Sequence, residues 1–138
     1  MRIVTRQPRA TLFAALVVLA AGGVALSAQA MRNVPRVSID ELKRLMTENA
    51  VVIIDVRDAS AYAQGRIPGA INIDYTDISG HADRFTAEKR TIVTYCACTN
   101  ETTAARAAVD LAARGVPGAK ALRGGWAEWV ERKEAVEK

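Results

Sequence analysis

The stretch TIVTYCACTNETTAARAAVDLAARG, Thr91 to Gly115, decides how the chain folds. Thr91 to Tyr95 is rich in β-branched and aromatic residues, the composition of a strand. From Thr102 to Arg114 the pattern changes. Ala105, Ala108, Val109, Leu111 and Ala112 recur at helical spacing, and Gly115 supplies the stop. A strand followed within seven residues by a helix is half of a β-α-β unit. The connection holds both cysteines of the chain, Cys96 and Cys98.

Outward from this unit the alternation continues. Ser38-Ile39-Asp40-Glu41 fits a capping box, in which the serine oxygen and the Glu41 carboxylate each satisfy a backbone N–H at a helix start. Ile39, Leu42, Leu45 and Met46 carry a helix to about Glu48. Val51-Val52-Ile53-Ile54 has no polar alternation and reads as a strand buried on both faces, as in a parallel sheet. A short helix over Asp58 to Gln64 ends at Gly65, a turn follows through Arg66-Ile67-Pro68-Gly69-Ala70, and Ile71 to Ile73 is a short strand. Asp77 to Arg90 is polar and helical in part. Ala119 to Leu122 is a last strand before Gly124-Gly125, and Trp126 to Glu137 is a charged terminal helix. The expectation is a single small α/β domain with a mostly parallel central sheet and helices on both faces.

Residues 1–30 read differently. Arg2, Arg6 and Arg9 precede an uncharged run from Thr11 to Leu26, and Ser27-Ala28-Gln29-Ala30 ends in small residues at alternate positions. That is the layout of a secretory signal peptide, cleaved after Ala30 or retained as an N-terminal anchor. The domain proper is then 31–138. It would be periplasmic or secreted, or held at the inner membrane facing outward, with membrane contact only through the uncleaved segment. Without residues 1–30 the chain keeps 16 basic residues against 15 acidic ones, a net charge of +1. No basic stripe with interleaved aromatics follows, so a nucleic-acid partner is not expected.

The two cysteines admit several readings. Structural zinc needs about four ligands, and His81 is not at ligand spacing from either thiol. No metal or cofactor is expected. A disulfide between Cys96 and Cys98 would close a very small, strained ring of little entropic value. A working thiol suits the position better, because ligands bind at the carboxyl edge of a parallel sheet. There the N–H groups of Ala97 to Glu101 and of the following helix form an anion site that favours thiolate.

Four segments carry a resemblance. Ile54-Asp55-Val56-Arg57-Asp58, Gly65 to Asn72, Val93-Thr94-Tyr95-Cys96 and Leu122-Arg123-Gly124-Gly125-Trp126 look like the successive motifs of the rhodanese family, in matching order over nearly all of residues 36 to 132. The resemblance implies a small α/β domain whose loop cysteine, here Cys96, carries sulfur as a persulfide. It also implies that Asp55 and Arg57 buttress the loop. The expected activity is sulfur transfer from a small-molecule or protein donor to a thiol acceptor, by a monomer. Cys98 is either a second catalytic thiol or a small loop filler. Substrate contacts are expected from Ala97, Thr99, Asn100, Glu101, Thr102 and Arg66. A non-catalytic binding or redox-sensing module, or a thiol reductase using both cysteines, remain alternatives.

Two departures bear on the substrate. The family's usual loop has a glycine third after the cysteine and often an arginine fifth, where this chain has Thr99 and Glu101. Glu101 should repel a small dianion such as thiosulfate unless it points outward or pairs with Arg106. An oxyanion-clamping arginine six residues after the cysteine, as in a phosphatase relative, is replaced by Thr102. Arg123 could also meet an anionic donor. Trp126 and Trp129 are expected to seal the core.

Overall fold

The computed structural model describes Leu26 and residues 28–138. The chain divides into two compact units, Met1–Ala30 and Met31–Lys138. The run expected to be a signal peptide lies almost wholly outside the described residues. Among the described residues no helix is long and apolar enough to cross a membrane.

The second unit is built on five parallel strands: β1 (Arg36–Val37), β2 (Val51–Asp55), β3 (Ile71–Asn72), β4 (Thr91–Tyr95) and β5 (Lys120–Leu122). Their spatial order is β1-β5-β4-β2-β3. Strand β4 sits at the centre, paired with β2 from Val51↔Thr91 to Asp55↔Tyr95 and with β5 through Val93↔Lys120 and Thr94↔Ala121. Its central place explains why Ile92, Val93, Thr94 and Tyr95 are all buried, since both faces are covered. Helix α1 (Ile39–Thr47) starts at Ser38, whose hydroxyl accepts from Glu41 N–H. Helix α2 (Ala59–Gln64) is capped by Asp58. Helix α3 spans Thr102–Ala113 and α4 spans Gly125–Glu131.

Side chains alternate across the sheet. Val93 and Tyr95 pack with Ile39 and Leu42 of α1 and Trp129 of α4 on one face. Ile92 and Cys96 pack on the other face with Ala104, Ala108 and Leu111 of α3 and with Ile78 and Phe85. The α/β reading with a parallel sheet is therefore the observed fold.

Three boundaries differ from expectation. Arg36–Val37 is an edge strand on β5, with Arg36↔Ala121 and Val37↔Leu122 paired, although two residues carry no period to read. The polar stretch after Asp74 forms a 3-10 helix, Tyr75–Phe85. The last helix ends at Glu131 rather than Glu137, because Lys133 adopts a left-handed conformation (φ 56°) and the chain turns back. Trp129 Nε1 donates to the Ala135 carbonyl at 2.8 Å, and Glu137 pairs antiparallel with Arg66.

Candidate active site

Cys96 directly follows β4 and its thiol faces α3, two residues beyond Thr94 on the same side of the sheet. It is 3% exposed. Residues 97–100 are exposed and connect it to α3. Glu101 is the N-cap of that helix but makes no side-chain cap hydrogen bond. Of the first-turn N–H groups, which a helix cannot satisfy internally, only that of Thr102 meets a side-chain oxygen among the described residues, Asn100 Oδ1 at 3.4 Å. The backbone N–H groups of Ala104, Cys98 and Thr103 face the Cys96 sulfur and favour its anion.

These N–H groups lower the thiol's pKa, yet burial acts first and more strongly, and the net displacement is upward. Cys98 adds to it by like-charge repulsion. The expectation of a thiol activated by loop dipoles alone is corrected here. The amides are in place, but the resting thiol is held protonated, because taking the sulfur out of water costs the anion more than these N–H groups return. Both cysteines are free; Cys98 is exposed.

The expected contact residues fall into two sets. Ala97, Thr99, Asn100 and Thr102 are exposed around the loop, with Thr102 N–H donating to Asn100 Oδ1 at 3.4 Å. Glu101, with its side chain 13% exposed and its backbone left-handed at φ 43°, lies 4.0 Å from the Arg36 guanidinium. Its partner is therefore Arg36 on β1 and not Arg106, which faces Tyr75. Arg66 is engaged elsewhere. It binds Glu137 Oε1 at 2.5 and 3.1 Å and lies over the Tyr62 ring, so its charge is already matched and not open to an anionic donor. Arg123 is exposed.

Asp55 and Arg57 form a buried, two-pronged pair on the sheet face opposite the thiol. Arg57 Nε lies 2.9 Å from Oδ1, and its Nη2 reaches Oδ2 at 2.5 Å and the Gly65 carbonyl at 2.7 Å. Burial pulls the Arg57 pKa down, and the Asp55 hydrogen bond and charge more than reverse this. Tyr95 donates its hydroxyl to Asp55 Oδ2 and accepts from Ile67 N–H at 3.2 Å. Burial, with Asp55 adding, pushes the Tyr95 phenol far above its ordinary range. Arg57 makes no bond to the cysteine loop. It reaches that loop through Trp126, whose ring lies 4.5 Å from the guanidinium carbon and whose backbone N–H donates to the Cys96 carbonyl at 2.9 Å. Trp126 packs against the core of that face, as expected, and also links the ion pair to the loop.

Sequence reasoning placed the anion site at the start of α3 but not on its individual donors. Counting from Thr102 as the first helical residue would have given Thr103 and Ala104. The tight seating of Gly125 was not readable in this way. A Cβ there would fall 2.6 Å from the Cys96 carbonyl oxygen and 2.8 Å from that of Cys98.

A parallel sheet carrying a cysteine at the carboxyl end of its central strand, cradled by helix N–H groups, has relatives. The family model for the rhodanese-like domain matches residues 38–132. The chain is similar to thiosulfate sulfurtransferase GlpE of Pseudomonas entomophila, at 29% identity over 72% of this chain and 87% of that one. The GlpE of Shewanella oneidensis is 24% identical over 73% of this chain and 97% of that one. Among solved structures, human single-domain sulfurtransferase TSTD1 superposes with a TM-score of 0.62 at 28% identity, covering 75% of this chain and all of that one. The BH2092 protein of Bacillus halodurans gives 0.68 at 27% identity over 84% and 85% of the two chains. With the match running over most of the compact unit and through every element that builds the thiol site, the chain belongs to the rhodanese-like domain family.

Proposed function

We propose that this domain is a sulfurtransferase that carries sulfane sulfur as a persulfide on Cys96. The observation that supports this best is the set of three N–H groups, from Cys98, Thr103 and Ala104, aimed at the Cys96 sulfur. The thiolate of Cys96 attacks the outer sulfur of a donor, the donor's remaining fragment leaves with the electron pair of the broken bond, and the amides hold the persulfide anion. A thiol acceptor then removes the outer sulfur and regenerates Cys96. The similar GlpE proteins are named for thiosulfate; here the Glu101 carboxylate beside the loop is offset only by Arg36 at 4.0 Å, which argues for a donor less anionic than thiosulfate.

A second reading rests on Cys98, which lies close enough to oppose ionisation of Cys96. Its thiolate attacks the inner sulfur of the persulfide, sulfide leaves, and the two cysteines end as a disulfide that an external dithiol must reduce. The domain would then be a thiol reductase. The layout of residues 1–30 supports work outside the cytoplasmic membrane.

Mass spectrometry after incubation with a persulfide donor, and in parallel with thiosulfate, tests the reading. A gain of one sulfur atom that Cys96→Ser abolishes is the expected result, larger with the persulfide. Loss of two hydrogens without sulfur uptake would instead identify a redox module. Turnover with a dithiol that Cys98→Ser abolishes would identify the reductase.

A further inference from the structure

Thr94 is fully buried on the central strand and its hydroxyl is directed at two carbonyls. Thr94 Oγ1 donates to the Ala104 carbonyl at 2.9 Å, with the Lys120 carbonyl of β5 at 3.2 Å as a second acceptor. Ala104 is also a residue whose N–H meets the Cys96 sulfur. Two residues of one strand edge, Thr94 and Cys96, thus grip opposite sides of the same helical residue. We propose that Thr94 is a positioning residue for the Cys96 sulfur: its hydroxyl fixes the first turn of α3 at the height where the Thr103 and Ala104 N–H groups reach that atom.

The need for such a fixture follows from the helix's own surface. The first turns of α3 bury only Ala104, Ala105, Ala107 and Ala108, single methyl groups, and the one large buried side chain of the helix, Leu111, lies about two turns beyond Ala104. Methyl groups resist separation of helix and sheet but present little to stop a slide along the axis, since ridges and grooves are shallow where side chains are small. The N-cap does not supply the missing constraint, because Glu101 makes no cap bond. A hydrogen bond from a buried hydroxyl is directional and short-ranged, so it does. Lost alignment of the N–H groups would weaken the bonds that favour the anion while leaving burial unchanged.

The titratable groups around the thiol are few. Cys98 approaches from the loop and Glu101 with Arg36 from the helix start and β1. Tyr75 of the 3-10 helix faces Arg106 and Asp110 of α3. Asp55, Arg57 and Tyr95 occupy the opposite sheet face, and Lys120 turns to Glu41. None of these side chains is bonded to Thr94, whose hydroxyl meets only the Ala104 and Lys120 backbone carbonyls among the described residues.

The inference rests on Cys96 as the sulfur carrier, but its test reads the thiol itself. In a Cys98→Ser background, which leaves one thiol to titrate, the ultraviolet absorbance of the Cys96 thiolate is followed against pH on folded protein. Thr94→Val and Thr94→Ala should raise the midpoint by about half a unit or more, the size expected for weakening hydrogen bonds to the charged form. Thr94→Ser should restore it. Midpoints for Val and Ala equal to the parent's, or a Ser variant displaced as far as they are, would overturn the proposal. If the valine variant does not fold, serine against alanine, which differ only in the hydroxyl, decides alone. Failure of the parent to take up sulfur would sink the carrier reading and leave the Thr94 result to stand separately.

Discussion

Replacing Gly125 with alanine places a methyl group inside the backbone of the cysteine loop. The new Cβ would lie 2.6 Å from the Cys96 carbonyl oxygen, where ordinary contact begins near 3.4 Å, so the loop or α4 must retreat by about 0.8 Å. Both obstructing atoms are backbone, the second being the Cys98 carbonyl oxygen, so no side-chain rotation relieves the contact. Overpacking of this kind costs about 1–3 kcal/mol, and the positive φ of 52° adds about 1–2 kcal/mol for a residue with a side chain. Reduced freedom of the unfolded chain returns about 0.4–1 kcal/mol. The net loss is about 1–5 kcal/mol, read as a lower midpoint in urea at unchanged slope. Because Trp126 N–H donates to the same Cys96 carbonyl, the displacement also moves the thiol's own residue. Sulfur uptake should fall further than the remaining folded fraction explains. A variant within about 0.5 kcal/mol of the parent, with unaltered uptake, would refute the claim that this glycine sets the position of the loop.

Two further outcomes follow from the opposite sheet face and from the thiol. Tyr95→Phe leaves the buried Ile67 N–H without its acceptor and takes a donor from Asp55, so urea unfolding should show a loss of about 1–3 kcal/mol; the Cys96 titration, on the other face, should not move. The folded Cys96 pKa lies above its unfolded value because of burial, so its contribution to stability is intact below about pH 8.5 and fades as pH rises toward the folded value. Unfolding measured across that range should show the parent losing stability relative to Cys96→Ser as pH rises; parallel curves would contradict the direction assigned to this thiol.

Much of the scaffold was legible because its signals are local. Val51 to Ile54 and Thr91 to Tyr95 announce buried strands by composition alone, and the capping residues Ser38 and Asp58 fix helix starts within their own neighbourhoods. What was not legible depends on register between distant segments. Asp55 meets the Tyr95 hydroxyl only because β2 pairs with β4 at Asp55↔Tyr95, a choice that no single segment encodes. Glu101 finds Arg36 rather than Arg106 because a two-residue edge strand brings residue 36 to the same sheet. Arg66 is withdrawn from the site by a chain tail more than seventy residues away in sequence, whose helical composition gave no hint that it turns back at Lys133.

The sign of the Cys96 shift is the instructive disagreement, since the same residues that suggested a stabilised anion also bury it. Sequence position predicts dipoles but not solvent access, and at 3% exposure desolvation wins. On the proposed mechanism this burdens the first step, since the thiol must lose its proton before it attacks the donor, but it does not weigh equally on the loaded form. A persulfide is a stronger acid than a thiol, and its charge sits on an added atom about 2 Å farther out, where the exposed loop leaves room for water. Burial therefore penalises the empty thiolate more than the loaded persulfide, and the same three N–H groups can favour the anion once sulfur is bound. A resting thiol kept protonated, and a loaded form kept ionised, would limit stray reaction of the empty site while holding the cargo until an acceptor thiol approaches.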